Sequence, residues 1–394
     1  KSMNIAFISF EYPPDTGGGG IGTYVDNASR MLAGRGHHVE VFAGGEGRST
    51  TRLEDALTVH RIACMDREAF GNAVADKFAD RHVAVDFDVL EGPEYYADAR
   101  RIVDQFPDLP FVLKLHTAQC ILREVNVNRY LSMADKARFI AGALRRGRIP
   151  SLPWVYRPEE DPECRYAHQA DVIAAPSKSI GERMVHLWDL DPKRIQVFPL
   201  PFEPDPSFTQ IDPDTHTDRV TFIGRIEARK GVLTLADAIP RVLDQYPSAS
   251  FRFIGRSLPH PRTDTPLNEY IRQSLGSYAN AVEFTGPVPY EAIPTYLEDT
   301  DLCAFPSTYE SFGLVCLEAM AAARGVIGSE AGGMKEILQG DQYGCTVPPE
   351  SPGELADAIL CLLNNPSIRK QRGRAARQRV LDTYSFDAVG PQQE

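Results

Sequence analysis

Short apolar segments alternate with longer amphipathic segments along the first half of the chain. The apolar segments predict strands over 4–10 and 38–43, near 89, and over 111–115 and 172–175. Apolar residues at helical spacing predict a helix over about 22–33, and helical stretches separate the later strands. Strands that alternate with helices predict a parallel sheet covered by helices on both faces. Such sheets bind ligands at the carboxyl ends of their strands.

The same alternation returns in the second half, with strands predicted over 219–223, 250–254, 282–284, 302–305 and about 326–327. Between the halves, FPLPFEPDPSF (198–208) carries four prolines and no helical period, which predicts an interdomain linker. A chain of 394 residues is also too long for one ordinary core. We therefore expect an α/β fold of two Rossmann-like domains facing across a cleft. The first would cover 3–200, completed by a C-terminal helix over 380–394, and the second would cover 201–379.

The stretch FPSTYESFGLVCLEAM (305–320) predicts the end of a strand, a turn and a helix. Ser311 is a suitable N-cap, so the helix is expected to begin at 312 with free N–H groups beyond the strand's carboxyl end. A helix N-terminus in this position favours phosphate. Glu310 and Glu318 lie beside it, where carboxylates could accept hydrogen bonds from sugar hydroxyls. The alternative is a polar loop end and an ordinary helical glutamate.

Cations follow the first strand of the second half, in GRIEARKG (224–231). Arg225, Arg229 and Lys230 lie between a strand and an apolar helix, where positive charge opposes the helix dipole. A phosphate held between these side chains would explain them, and plain surface charge is the alternative. A glycine turn, EAGGMKEIL (330–338), again ends a strand and opens a helix.

A glycine-rich loop, EYPPDTGGGGIGTY, follows the first strand and contains a formal G-x-G-x-x-G at 17, 19 and 22. A dinucleotide site is one interpretation, but the glycines begin about seven residues after the strand instead of at the tight turn. The second strand also ends in Ala43-Gly44-Gly45, with no acid placed to hold a ribose. A flexible loop that offers backbone N–H groups to a phosphate or sugar fits better, and a purely structural turn is the third interpretation.

His116 directly follows the strand over 111–115 and is therefore expected at the ligand edge, although a surface or core histidine is the alternative. Farther on, basic residues interleave with apolar ones from 136 to 148, and Ile149, Leu152, Pro153 and Trp154 follow. This 136–154 region could contact an anionic membrane surface or hold an anionic acceptor. A solvated helix face is the third interpretation.

The overall composition excludes several classes of protein. A net charge of −12 argues against nucleic acid as a partner. No apolar run approaches 18 residues, so neither a transmembrane helix nor a signal peptide is expected, and a cytoplasmic location follows. The seven cysteines are scattered and form no C-x-x-C pair, which favours reduced thiols over a zinc site or a disulfide scaffold.

Together these motifs resemble the retaining glycosyltransferases of the GT-B fold, family four (glycosyl transferases group 1). The resemblance rests on G-R-x-x-x-x-K-G at 224–231, E-x7-E at Glu310 and Glu318, G-G-x-x-E at 332–336, and the glycine loop after the first strand. It is clear over 3–45 and 220–350, and it fades between about 118 and 170. The linker departs from the usual N-G turn of that family.

The resemblance implies a hexosyltransferase that moves a sugar from a nucleotide-diphosphate sugar to a glycan or lipid-linked acceptor, with a UDP sugar favoured. It implies diphosphate binding by Arg225 and Lys230, ribose binding by Glu318 and sugar binding by Glu310. His116 would lie near the sugar's C6 hydroxyl, and the base would meet backbone around Arg256 and Val288. The remaining donor contacts would be backbone groups of Gly17, Gly18, Gly19 and Gly20 in the loop, and of Phe312, Gly313, Leu314 and Val315.

Breaking a glycosyl–phosphate bond leaves negative charge on the diphosphate, which Arg225, Lys230 and helix N–H groups could stabilise without a metal. D-x-D triplets occur at 86–88, 189–191, 212–214 and 299–301, but none stands in a strand–loop context matched by the other motifs. We therefore expect no metal and no other cofactor. The competing functions are an NAD-dependent Rossmann oxidoreductase and an inactive nucleotide-sugar-binding protein of the same fold.

Overall fold

The computed structural model describes residues 2–16, 19–54, 56–340 and 342–394. The first half forms one sheet in the order β3-β4-β2-β1-β5-β6-β7-β8. Its strands are β1 Asn4–Ser9, β2 His38–Gly45, β3 Thr50–Glu54, β4 Leu57–Ala63, β5 Val89–Pro93, β6 Phe111–Lys114, β7 Val172–Ala175 and β8 Ile195–Val197. All neighbours are parallel except β3 and β4, an antiparallel edge pair that the sequence analysis did not predict.

Helices cover this sheet on both faces, as the alternation predicted. They are α1 Gly20–Gly34, α2 Arg67–Val85, α3 Arg100–Gln105, α4 Gln119–Asn126, α5 Met133–Arg145, α6 Pro162–Gln169 and α7 Lys178–Trp188. Apart from the more exposed edge strands β3 and β8, the strands of this sheet are almost continuously buried, which explains why they appear in the sequence as apolar runs.

The second half forms a fully parallel sheet in the order β11-β10-β9-β12-β13-β14. Its strands are β9 Arg219–Ile223, β10 Ser250–Ile254, β11 Val282–Gly286, β12 Leu302–Phe305, β13 Gly325–Ser329 and β14 Cys345–Val347. The helices are α8 Pro206–Thr209, α9 Val232–Gln245, α10 Leu267–Leu275, α11 Ile293–Glu298, α12 Leu314–Ala321, α13 Met334–Leu338, α14 Pro352–Asn364, α15 Pro366–Thr383 and α16 Phe386–Gln393. Two Rossmann-like sheets confirm the predicted α/β fold class.

Both sheets reverse their strand order beside the strand that opens them. The reversal lies between β1 and β5 in the first sheet and between β9 and β12 in the second. Open α/β sheets bind ligands at such switch points. The glycine loop after β1 and the segments after β9 and β12 therefore occupy the expected ligand edges.

The end of the chain crosses back to the first sheet. Residues 380–394 do not form one helix, because α15 ends at Thr383 and α16 begins at Phe386. Two linker residues hold this break: the Phe202 N–H donates to the Tyr384 carbonyl at 2.7 Å, and the Glu203 carboxylate accepts the Phe386 N–H at 3.0 Å. Helix α16 then packs against α1. The division of the chain at 200 and 379 stays a prediction.

Candidate active site

The loop between β12 and α12 forms the centre of the site, but its helix begins later than expected. Helix α12 begins at Leu314, after Gly313 with a φ of 108°, and Ser311 does not cap it. The Ser311 hydroxyl is instead hydrogen-bonded to the Thr117 hydroxyl at 2.6 Å. The N-cap prediction is therefore wrong, because a left-handed glycine supplies the turn and leaves the serine free to contact the other sheet.

The start of α12 nevertheless offers unpaired donors. Within the described residues, the N–H groups of Gly313, Leu314 and Val315 have no hydrogen-bond acceptor. Phe312 is buried, and its ring packs edge-on against Tyr384 at 5.9 Å between centroids. The backbone at this helix start can therefore bind an anion, while the Phe312 side chain anchors the loop.

Lys230 and Glu310, which the sequence analysis predicted as site residues, form an ion pair. Burial works to raise the pKa of the Glu310 carboxyl, but the charges of Lys230 and Arg229 outweigh it and hold that pKa below its usual value. Glu310 is therefore ionised in the neutral pH range. Arg225 is half exposed and lies 3.3 Å from Glu227, so its guanidinium remains open to a ligand.

Two glycines are needed to bring these segments together. A Cβ on Gly231, whose φ is 74°, would lie 1.8 Å from the Pro306 carbonyl oxygen. A Cβ on Gly332, whose φ is 104°, would lie 2.0 Å from the Glu310 carbonyl oxygen, which accepts the Gly333 N–H at 2.8 Å. The G-G-x-x-E turn therefore fixes the backbone of Glu310.

Glu318 lies on α12 and is partly buried. Within the described residues its carboxyl makes no hydrogen bond or ion pair, and burial raises the pKa of that carboxyl to about 8. The phenol of Tyr290 lies close to this carboxyl. Burial raises the pKa of the phenol most, and the charge of Glu318 is the second largest cause. The sequence analysis missed this tyrosine, which follows a short proline-flanked loop with no motif of its own.

Among the described residues, no hydrogen bond or ion pair connects Glu318 to Arg256 or to Val288. Arg256 is exposed, and its carbonyl accepts the Ile226 N–H at 2.9 Å. Val288 is partly buried against the core of the second sheet. Their predicted contact with the base stays a prediction.

The glycine loop places a second helix start at the cleft. Gly17 and Gly18 lie outside the described residues. Gly19 precedes α1, which begins at Gly20 without a side-chain cap or an acid in its first turn. A Cβ built on Gly20 would meet nothing within 4 Å, so open space lies beside this helix start. Its free N–H groups match those at the start of α12.

His116 is neutral and points an unpaired nitrogen into its buried surroundings. Burial, aided by the charges of Lys114 and Arg67, lowers the pKa of the imidazole to about 3. Its backbone N–H donates to the Glu94 carboxylate at 2.7 Å, and its Nε2 has no partner in the described residues. The imidazole can therefore form a hydrogen bond with a ligand, but it carries no charge at neutral pH.

A line of hydrogen bonds connects the two sheets beside these residues. Besides Thr117, the Ser177 hydroxyl reaches Ser311 and donates to its carbonyl at 2.8 Å. Glu336, the last residue of G-G-x-x-E, accepts the N–H groups of Lys178 and Ser179 at the start of α7, both at 2.9 Å. We call this set the interdomain seam. It brings the His116 and Glu310 segments together, and no spacing in the sequence revealed its partners.

In the D-x-D triplet at 299–301, both aspartates already form ion pairs with arginines. Asp299 pairs with Arg219 and Arg252, and Asp301 pairs with Arg369. In the described ranges, no group of three or more histidine, cysteine, aspartate or glutamate side chains is arranged to hold a metal ion.

Comparison with known proteins agrees with this geometry over nearly the whole chain. The family model "Glycosyltransferase Family 4" matches residues 18–205, and the model "Glycosyl transferases group 1" matches residues 217–365. The chain is 26% identical to a glycogen synthase of Mycobacterium tuberculosis, over 98% of this chain and 92% of that protein. It is 26% identical to a D-inositol 3-phosphate glycosyltransferase of Corynebacterium aurimucosum, over 100% of this chain and 95% of that protein.

Solved structures share the fold at lower identity. A sucrose-phosphate synthase from Thermosynechococcus elongatus superposes with a TM-score of 0.71 and 22% identity, over 99% of this chain and 97% of that one. The catalytic domain of starch synthase IV from Arabidopsis thaliana, bound to ADP and acarbose, gives a TM-score of 0.71 at 14% identity, over 100% and 98%. With family models matching both halves around the same cleft, the chain belongs to the group 1 and family 4 glycosyltransferases of the GT-B fold.

Proposed function

We propose that this glycosyltransferase takes its sugar from a nucleotide-diphosphate sugar, with a UDP sugar favoured, and retains the configuration of the sugar. The observation that carries the proposal is the ion pair of Lys230 and Glu310 on the same connection as the unpaired start of α12. Cations and free N–H groups suit a diphosphate, and an ionised carboxylate suits sugar hydroxyls. A structure of an Anabaena protein with the same fold, solved in complex with UDP, supports this choice (TM-score 0.68, 18% identity, 99% and 98% covered).

In this proposal the leaving diphosphate is stabilised by three sources of positive charge. Arg225 and Lys230 supply side-chain cations, and the N–H groups of Gly313 to Val315 supply backbone donors. These groups are fixed before the reaction, so they stabilise the developing charge without reorganising. Glu310 would exchange its bond to Lys230 for hydroxyls of the sugar, and Glu318 would accept the ribose hydroxyls.

The acceptor step follows on the same face of the sugar, with the leaving phosphate helping to deprotonate the acceptor hydroxyl. Neutral His116 would bind the donor sugar near its C6 hydroxyl instead of acting as an acid or base. Closure along the interdomain seam would exclude water from the transfer. The proposed product class is a polysaccharide or glycoconjugate built on a glycan or lipid-linked acceptor, with no metal or other cofactor.

Calorimetric titration of the purified chain with UDP, GDP, ADP and NAD, each with EDTA, tests this proposal. Binding of one nucleoside diphosphate that is lost in Glu318→Ala supports it. Binding of NAD alone would overturn it in favour of an oxidoreductase. Donor binding without release of the nucleoside diphosphate, measured with a panel of acceptors, would favour the inactive sugar-binding alternative.

The proposal includes peripheral contact with the inner face of the cytoplasmic membrane through the 136–154 region. Helix α5 exposes an apolar stripe of Met133, Ala137, Ala141 and Leu144, with Met133 80% and Leu144 59% exposed. Arg138 and Arg145 flank the stripe, a pattern suited to an anionic bilayer. No described helix is both long and apolar enough to cross a membrane. Sedimentation with anionic and neutral vesicles tests the contact.

A further inference from the structure

A cavity of the first sheet is lined in part by the segment that follows His116. It has a volume of about 610 Å³ and opens at the carboxyl ends of β5 and β6. Its wall includes Gln119, three residues after His116, and Arg67. Arg67 pairs at 2.7 Å with Glu11, whose carboxylate lies 2.9 Å from a Cβ built on Gly19. The cavity wall therefore includes one residue of the His116 segment and an arginine that pairs with Glu11 beside the glycine loop.

Most acids in the cavity wall are already engaged by the protein. Glu163 accepts the N–H groups of Tyr96 and Gln119, each at 2.8 Å, and so caps the start of α4. Asp98 accepts the Phe10 N–H and pairs with Arg67, and Asp161 caps α6. These carboxylates have little capacity left to neutralise further cations.

Three arginines in the same wall have no such engagement. The side chains of Arg100, Arg101 and Arg123 make no hydrogen bond or ion pair with any described residue. Of the acids in the wall, Glu68 alone likewise lacks a described side-chain partner, so unpaired cations outnumber unpaired acids three to one. This surplus stands out in a chain whose net charge is −12.

We propose that this cavity binds the phosphate group of a phosphorylated acceptor, with Arg100, Arg101 and Arg123 as its ligands. Guanidinium groups match phosphate oxygens in pairs, and three of them suit a doubly charged group better than a single carboxylate. The inference rests on the proposed transferase function, because it assigns the acceptor class of that reaction. The phosphate could belong to a water-soluble sugar phosphate or to the headgroup of a lipid phosphate.

The test is calorimetric titration of the full chain with glucose, glucose 6-phosphate and neutral-lipid vesicles that contain a polyprenyl phosphate. We expect a phosphate-bearing probe to bind at least roughly tenfold more tightly than glucose or phosphate-free vesicles. Glucose 6-phosphate binding would assign a soluble acceptor, and binding to the polyprenyl phosphate alone would assign a lipid acceptor. A phosphate preference in neither arm would overturn the proposal.

Variants test whether these three arginines, and not the overall charge of the protein, bind the phosphate. The triple variant Arg100→Ala/Arg101→Ala/Arg123→Ala should bind the phosphate probe roughly tenfold or more weakly than the wild type. Adding about 0.5 M salt should weaken phosphate binding by the wild type. The matched control is Arg241→Ala, an exposed arginine on α9 outside the cavity wall, which should bind the phosphate probe as the wild type does. Wild-type affinity in the triple variant would overturn the proposal. UDP titration of every variant tests the donor site separately, so loss of the transferase function remains distinguishable.

Discussion

The two walls of the cleft obtain their polar groups in different ways. The second sheet supplies them from two short segments, 224–231 and 305–318, in which cations and carboxylates pair with one another. The first sheet supplies its cavity wall with single side chains from segments spread between 67 and 163, and three of its arginines stay unpaired. The wall formed by these two segments, which we propose binds the donor and call the donor wall, is therefore arranged before the ligand arrives, whereas the cavity wall keeps charge for a ligand to neutralise.

Removing the donor wall's cations should produce the largest effect. Arg225→Ala and Lys230→Ala should each lower turnover by roughly a hundredfold or more, because each removes a fixed charge opposite the leaving diphosphate. Single-turnover kinetics with the donor identified by calorimetry would measure this. Arg241→Ala, an exposed arginine that pairs with Asp357 on the outer helices, is the control and should keep full activity. Near-normal turnover in both site variants would contradict the donor-wall assignment.

Breaking the interdomain seam should have a smaller effect that separates the two walls. Glu336→Ala removes two charge-assisted hydrogen bonds to the start of α7, so the closed arrangement becomes less populated. We expect roughly a tenfold fall in kcat, with the affinity for the nucleoside diphosphate little changed.

The matched control for the seam is Glu330→Gln, an exposed glutamate on the same connection between β13 and α13. Scattering measurements of the radius of gyration with donor present should show Glu336→Ala more open than this control. Equal kcat values and equal compactness in the two variants would show that the seam does not hold the walls together.

The smallest expected effect is a pH dependence centred on Glu318. Its folded pKa of about 8 lies above the unfolded value, so its neutral form stabilises the free enzyme below the unfolded pKa, and that stability is lost as pH rises toward 8. Glu318→Gln, which cannot ionise, should lose less thermal stability than the wild type between pH 5 and pH 9, by roughly a few degrees. An identical pH dependence in both proteins would contradict the unpaired carboxyl.

Nucleotide binding should also change the protonation of the Glu318 carboxyl. If ribose hydroxyls donate to Glu318, they favour its charged form and lower its pKa, so binding near pH 7 releases a proton. Titrations in buffers of different ionisation enthalpy would detect the release in the wild type and its absence in Glu318→Gln. Binding without proton release would place the ribose elsewhere.

The predictability of the two walls follows from how they are built. Residues 224–231 and 310–318 each carry their chemistry at fixed spacing after one strand, so the motifs predicted Lys230 and Glu310 as site residues, but they did not predict the ion pair between them. Even there the helix start was misplaced, because Ser311 resembles an N-cap and its contact with Thr117 spans 194 positions. Arg100 and Arg123 have no shared period or motif, and their common cavity arises only when β5 and β6 pair.

The double crossing between the sheets has a mechanical consequence. The chain passes from the first sheet to the second through the linker and returns at Tyr384, where Phe202 and Glu203 bond the two passages side by side. A single flexible tether would let two bodies twist as well as bend. Two adjacent tethers bonded to each other resist torsion and leave bending about one axis as the soft motion. The two walls of the cleft should therefore close by rotation about one axis, so that the same residues come into contact at each closure.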